Sequence, residues 1–70
     1  MKPSLGQIDA LVRVLENEDN VQVQFNTENL YDVISEVTPG QYDYLYALIF
    51  NNKHLKLRAL LIDLGLKLKV

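Results

Sequence analysis

TPGQYDYLYALIFNNKHLKLRALLIDL, residues 38–64, is the stretch that holds most of the large apolar side chains, so the rest of the chain has to pack around it. Thr38 is a good N-cap, because its hydroxyl can accept a hydrogen bond from a backbone N–H left free in the first helical turn. Pro39 suits the first helical position, where the missing N–H costs nothing. Gln41 completes a capping box with Thr38. This pattern predicts a helix over residues 39–50.

The predicted helix over 39–50 is apolar on most of its circumference. Its main stripe, at the spacing i, i+3, i+4 and i+7, consists of Tyr42, Leu45, Tyr46 and Ile49. Three further residues widen the apolar surface beyond this stripe: Tyr44, Leu48 and Phe50. A helix that is apolar on most sides is also buried on most sides. In a chain of 70 residues, we therefore expect this helix to contact several other elements or a second subunit.

A second helix is predicted over residues 53–64. Asn51 and Asn52 can separate it from the first, since asparagine tolerates the left-handed conformation, and Gly65 is well placed to end it. The main apolar stripe of this helix consists of Leu57, Leu60, Leu61 and Leu64. A second stripe consists of Leu55, Ala59 and Ile62. Because residues 56–58 alternate polar and apolar, an extended start of this segment is the alternative.

The rest of the chain predicts two more helices and two strands. Ser4 and Gln7 form another capping box, and the helical stripe behind it consists of Leu5, Ile8, Leu11, Val12 and Leu15. Residues 21–25 (VQVQF) and 66–70 (LKLKV) alternate strictly, which predicts a strand in each. A helix is predicted over 28–37. The expected order is α-β-α-α-α-β, a small α+β fold in a single domain over residues 1–70.

Composition limits the classes of protein to consider. The chain is 49% hydrophobic and has no cysteine, which excludes disulfides and thiolate metal sites and is compatible with the cytosol. No apolar run approaches the roughly 18 residues of a membrane span, and the N-terminus lacks the apolar core of a signal peptide. Because so short a chain can hide only part of its apolar surface, we expect a homodimer, formed either through open strand edges or through the helix over 39–50.

Charge is divided unevenly along the chain. Residues 1–50 carry two basic and eight acidic side chains, a formal charge of −6, whereas residues 51–70 carry five basic and one acidic, a charge of +4. The five basic residues are Lys53, Lys56, Arg58, Lys67 and Lys69. The two halves can neutralise each other by packing together, and the alternative is a basic face for an acidic partner or nucleic acid. Residues 30–50 also fit a helix-turn-helix, but that second helix has no Lys or Arg to place in a groove.

No residue pattern in the chain predicts catalysis or a cofactor. His54 is the only histidine, the glycines stand singly rather than in a phosphate-binding loop, and the acids lack the spacing of a metal site. We therefore expect a protein–protein interaction or regulatory module that is not an enzyme, a type common among phage and mobile-element proteins. Tyrosine is enriched at interfaces, and the candidate partner interface consists of Tyr42, Tyr44, Tyr46 and Phe50. The alternative is a nucleic-acid-binding regulator that uses the basic C-terminal third.

Overall fold

The computed structural model describes residues 2–69, and over that range the regular elements of the chain are all helices. Its helices are α1 (Leu5–Glu16), α2 (Asp19–Gln24), α3 (Leu30–Ser35), α4 (Pro39–Phe50) and α5 (His54–Asp63). Helix α1 packs against α2 and α3, and α4 packs against α5. None of these helices is long and apolar enough to cross a membrane.

The two long helices begin where their capping boxes predict. In α1, the Ser4 hydroxyl accepts from the Gln7 N–H at 3.2 Å, and the Gln7 side chain accepts from the Ser4 N–H at 2.9 Å. In α4, Thr38 and Gln41 exchange the same pair of hydrogen bonds at the same distances. Each box gives acceptors to two backbone N–H groups at the start of its helix. The predicted starts of both helices are confirmed.

Asn52 ends the α4 segment in the left-handed conformation, with a φ of 54°. The Lys53 N–H donates to the Leu48 carbonyl at 2.9 Å, and the Asn52 N–H donates to the Ile49 carbonyl at 3.2 Å. This is a Schellman motif, which uses carbonyls that the last helical turn leaves free. The predicted break between the two helices is therefore confirmed, and the extended start considered for residues 56–58 is wrong.

The α+β fold predicted from the alternating segments is wrong, and the first error lies at residues 21–25. Helix α2 continues to Gln24, so this segment is helical rather than extended. Val21 and Phe25 stand four residues apart, on one side of a helix, and both are 1% exposed. Val23 points to solvent instead and is 74% exposed. The two buried positions, Val21 and Phe25, fit a helix as well as a strand, and the exposure of Val23 matches the helix alone.

The second predicted strand, over 66–70, is reduced to one antiparallel bridge between Leu68 and Phe25. The Asn26 N–H donates to the Lys67 carbonyl, and the Lys69 N–H donates to the Gln24 carbonyl, both at 2.8 Å. The two predicted segments do meet, but α2 leaves only the residue after Gln24 extended, so no ladder can grow. Val70 lies outside the described residues. Without a strand in 2–69, a homodimer through open strand edges has no basis.

The predicted helix over 28–37 is shorter in the structure and is α3, Leu30–Ser35. The Asn26 side chain accepts a hydrogen bond from the Glu28 N–H at 3.0 Å, so the chain turns there before the helix begins. At the other end, the Val37 N–H donates to the Ile34 carbonyl at 3.2 Å in a tightened last turn. The apolar side of this segment is buried in the core, since Leu30, Ile34 and Val37 are at most 1% exposed, although Val37 lies beyond the helix.

One cluster of buried side chains fills the described part of the molecule and draws on every helix and on the C-terminal segment. It consists of Ile8, Leu11, Val12, Leu15, Val21, Phe25, Leu30, Ile34, Val37, Tyr42, Leu45, Leu48, Leu57, Leu61 and Leu66. Helix α5 contributes Leu57 and Leu61 of its predicted main stripe to this cluster. Leu60 and Leu64, from the same stripe, are partly buried and pack against it. The other stripe of α5 is therefore turned away from the core.

Candidate functional site

A row of three aromatic rings runs along α4 from the core to the surface. The rings of Tyr42 and Tyr46 meet edge to face, with centroids 5.1 Å apart and an interplanar angle of 63°. The rings of Tyr46 and Phe50 are tilted by 30°, with centroids 6.5 Å apart. Such pairs stabilise one another beyond the area that they bury. The row exists because these residues stand four apart, which places them on one side of the helix.

Tyr42 anchors the row in the core. Its side chain is buried, and its hydroxyl donates to the Gln7 carbonyl of α1 at 3.1 Å. Burial raises the pKa of Tyr42 to about 12, and the neighbouring Tyr46 and Asp43 also raise it. The tyrosine is thus held neutral and in place, and it positions the rest of the row rather than presenting a surface of its own.

The outer end of the row forms an exposed corner, named here the aromatic corner and defined as Tyr46, Phe50 and the Asn51–Lys53 turn. Phe50 is 80% exposed, and Tyr46 is half-buried. Tyr44 is exposed too but lies on a different side of α4, away from the row. Of the four residues predicted as a partner interface, the structure therefore brings together Tyr46 and Phe50 at the surface, with Tyr42 beneath them and Tyr44 apart.

Helix α5 carries a second apolar surface, named here the outer stripe and defined as Leu55, Ala59 and Ile62. Leu55 is 85% exposed, Ala59 is exposed, and Ile62 is 39% exposed. Lys56 and Asp63 are exposed along one edge of the stripe, seven residues apart. The spacing of residues in the sequence predicts this stripe but not a functional role for it, because its exposure depends on which side of α5 the core covers.

The five basic residues proposed to contact an acidic partner fall into two groups, and all of them are exposed. Lys53 and Lys56 lie at the start of α5, beside a shallow depression of about 350 Å³ lined by residues 52–56. The other group consists of Arg58, Lys67 and Lys69, each of which contacts residues 24–26 through its side chain or its backbone. The Arg58 Nε–H donates to the Gln24 side chain at 2.7 Å. The backbone of residues 67–69 pairs with that of 24–26.

The region of His54 offers little for metal binding. Its Nδ1 lies 3.0 Å from the side-chain nitrogen of Asn20, a contact that links the start of α5 to α2. Within residues 2–69, no group of three or more His, Cys, Asp and Glu side chains is placed to hold a metal ion. His54 therefore has a structural contact in this molecule, which the sequence pattern did not predict.

Comparison of the chain with protein-family models, curated proteins and solved structures gave no match.

Proposed function

We propose that this chain is a non-catalytic protein-interaction or regulatory module, and that a protein partner binds over the aromatic corner. The observation that carries the proposal is the 80% exposure of Phe50 at the end of an ordered aromatic row. Removing a side chain of this kind from water supplies about 1.5–3 kcal/mol. Buried aromatic anchors dominate the binding energy of protein interfaces, so Phe50 is the residue expected to contribute most.

The aromatic row lowers the cost of binding, because Phe50 is already supported on one side. Its ring rests against Tyr46, which rests against the buried ring of Tyr42. A side chain that is ordered before binding loses little conformational entropy when a partner covers it. The same argument does not extend to Val23, an exposed apolar residue of α2 that is not part of the aromatic row. Val23 therefore provides a matched control.

Charge indicates the chemistry of the partner. Residues 44–62 contain three basic side chains and no acidic one. Lys53 lies within the aromatic corner, and Lys56 follows one turn into α5. Complementary charge steers association and fixes its orientation. The partner surface that fits is an apolar pocket with carboxylates on its rim. The cytosolic location expected from the cysteine-free sequence is part of this proposal.

The experiment that tests the proposal is affinity capture from the native host, with the full chain and two single variants. We expect at least one host protein whose recovery falls about tenfold or more with Phe50→Ser, as removal of a hot-spot side chain predicts. Recovery with Val23→Ser should equal that of the parent. Equal recovery by Phe50→Ser and the parent, or failure to recover any host protein, contradicts the proposal.

Nucleic-acid binding is a second candidate, favoured by the contacts that bring Arg58 and the backbone of Lys67 and Lys69 to residues 24–26. Neighbouring cations are the usual means by which proteins bind the phosphate backbone. Helix α4 is not the contact that this candidate requires, because it has no Lys or Arg. Binding would instead use the surface formed by α5 and the C-terminal segment.

A gel-shift titration at low salt, on duplex and single-stranded DNA and RNA, tests this candidate. Binding should weaken steeply with salt through counterion release, and loss of one phosphate contact should reduce the slope of log K against log salt by about one. Lys67→Ala is the test variant. Lys2→Ala is the control, because Lys2 pairs with Glu36 at 3.0 Å, far from this group in sequence. The absence of salt-sensitive binding contradicts this candidate.

A further inference from the structure

Helix α5 is apolar on two opposite sides, and only one of them is covered. Leu57 and Leu61 lie in the core, at 3% and 0% exposure. On the other side, Leu55 at 85% is more exposed than any other large apolar residue of the described chain. A helix with apolar residues all round is usually buried all round. The outer stripe therefore has the character of a surface that a second helix would cover.

The size pattern of the outer stripe suits helix pairing. Ala59 lies at its centre, and a small residue there lets two helix backbones approach closely. Leu55 and Ile62 lie about one turn to either side of this centre. If a second copy of α5 runs antiparallel across Ala59, Leu55 of each copy lies next to Ile62 of the other. Both copies then bury the same patch, as a two-fold axis requires.

The charges beside the outer stripe distinguish between the two directions of pairing. Lys56 and Asp63 share one edge of the stripe, and their midpoint lies next to Ala59. In an antiparallel pair related by a two-fold axis, this edge meets the same edge of the second copy. Each Lys56 then faces an Asp63, and the contact is made twice. In a parallel pair, the edge with Lys56 would meet the edge with Arg58, where like charges repel.

Arg58 is the residue that this arrangement has to accommodate, because it lies on the opposite edge near the two-fold axis. Two Arg58 side chains would approach each other there. The hydrogen bond from Arg58 Nε–H to the Gln24 side chain at 2.7 Å holds the guanidinium beside the end of α2, and we expect this to keep it off the axis. The Arg58–Gln24 hydrogen bond, which forms within one subunit, therefore limits the repulsion between the two Arg58 side chains of a dimer.

We propose that the outer stripe is a homodimer interface, in which α5 packs antiparallel against α5 of a second copy with Ala59 at the two-fold axis. Two Lys56–Asp63 ion pairs between the subunits fix the direction. This dimer goes beyond the proposed function, since it uses α5 and a second copy rather than the aromatic corner and another protein. One ten-residue helix per subunit makes a small interface, so dissociation is expected at micromolar concentrations.

The first test measures mass by sedimentation over a range of concentration. The full chain should shift from 8.0 kDa toward twice that mass, over roughly 5–500 μM as expected for a small interface. Ala59→Glu should keep the mass at that of one chain throughout, because it places a charge and extra bulk at the axis. Val23→Ser, an exposed apolar change on α2, should leave the shift unchanged. Helical circular dichroism of all three proteins serves as the check on folding.

The second test uses reversal of the two charges. Lys56→Asp alone sets carboxylates against carboxylates, and Asp63→Lys alone sets ammonium groups against ammonium groups. Each variant should dimerise about tenfold more weakly than the parent, as loss of two exposed ion pairs predicts. A mixture of the two variants restores opposite charges at both contacts, so it should form a heterodimer about as strongly as the parent dimerises. High salt should reduce these differences.

The mixing experiment separates contacts between subunits from effects within one chain. Lys56 and Asp63 stand about two turns apart on the same helix, roughly 10 Å along its axis, so they do not pair within a subunit. A parent that stays at the mass of one chain overturns the inference and leaves the outer stripe to some other occupant. The inference is also overturned if the charge-reversal variants dimerise as strongly as the parent, or if their mixture associates no more strongly than either variant alone. None of these outcomes depends on capture of a host protein by Phe50.

Discussion

The hydroxyl of Tyr42 donates to the backbone carbonyl of Gln7 across 3.1 Å, and this hydrogen bond joins the first turn of α4 to the first turn of α1. Gln7 also closes the capping box of α1 with Ser4, and Tyr42 follows the capping box of α4. The bond therefore connects the two helix starts that the sequence specifies most strongly. It also fixes the inner end of the aromatic row on which Phe50 rests.

Tyr42→Phe is expected to destabilise the protein by about 1 kcal/mol, the usual net contribution of one hydrogen bond. The ring stays in the core, so packing against Tyr46 is kept and the hydroxyl is the only loss. Tyr44→Phe is the matched control, because Tyr44 is 48% exposed and should change stability by less than about 0.5 kcal/mol. Urea unfolding of the three proteins checks this. Equal effects of the two substitutions would show that the Tyr42 bond contributes nothing.

Stability should fall at alkaline pH because of the same tyrosine. Burial raises the pKa of Tyr42 from its ordinary value of 10.0 to about 12 in the folded protein. The folded state thus holds this proton more tightly than the unfolded chain does. The resulting stability is complete below pH 10.0 and is lost as the pH rises toward about 12. The stability difference between the parent and Tyr42→Phe should shrink over this window, and a constant difference would contradict the raised pKa.

The helix ends could be predicted from the sequence because the groups that determine them are close together in the chain. Ser4 and Thr38 accept from residues three positions ahead. Asn52 and Gly65 adopt positive φ values at the ends of α4 and α5. None of these contacts depends on the rest of the fold, so a local pattern is enough to predict them.

The structure of residues 21–25 could not be predicted in this way. Val21 and Phe25 share one side both in a strand and in a helix, and only Val23 distinguishes the two. The structure of this segment depends on the contacts of Phe25 with distant residues. One of them is Leu68, which lies 43 positions further along the chain. The exposure of the outer stripe could not be predicted for the same reason. The sequence shows two apolar sides of α5, and packing against α4 determines which of them is buried.

Val21→Ala and Val23→Ala should therefore have different effects. Val21 is 1% exposed, and its truncation should cost about 1–3 kcal/mol of unfolding free energy through lost burial and a cavity. Val23 is 74% exposed on a helix, where alanine is the better helix former, so its truncation should change stability by less than about 0.5 kcal/mol. Urea unfolding measures both. Similar losses would mean that the two valines share a buried face, as they would in a strand.

Gly65 and Gly40 should respond in opposite ways to replacement by alanine. Gly65 has a φ of 103° at the end of α5, where a side chain is strained, so Gly65→Ala should cost about 1 kcal/mol or more. Gly40 lies in the first turn of α4, and the nearest atom to an added Cβ is the Thr38 hydroxyl at 3.9 Å. Gly40→Ala should stabilise the protein by about 0.5–1 kcal/mol. Thermal unfolding of both variants checks the signs. A gain with Gly65→Ala would contradict the strain at Gly65, and a loss with Gly40→Ala would contradict the open space beside Gly40.

Leu45 and Leu55 test the two sides of the α4–α5 hairpin. Leu45 is 0% exposed in the core, so Leu45→Ala should cost about 2–5 kcal/mol at any protein concentration. Leu55 is 85% exposed in a single subunit, so Leu55→Ala should be nearly neutral in dilute solution.

The effects of the two leucine substitutions on stability should depend differently on protein concentration. A dimer stabilises the folded state by mass action, so the parent should become harder to unfold as its concentration rises. Leu55→Ala weakens that dimer and should gain less from concentration than the parent, whereas Leu45→Ala should show the full cost even where the subunits are apart. Urea unfolding at about 5 and about 500 μM, the range expected for a small interface, provides the comparison. If the effect of Leu55→Ala is the same at both concentrations, the outer stripe does not contribute to association, and the exposure of Leu55 has to serve something other than a second copy.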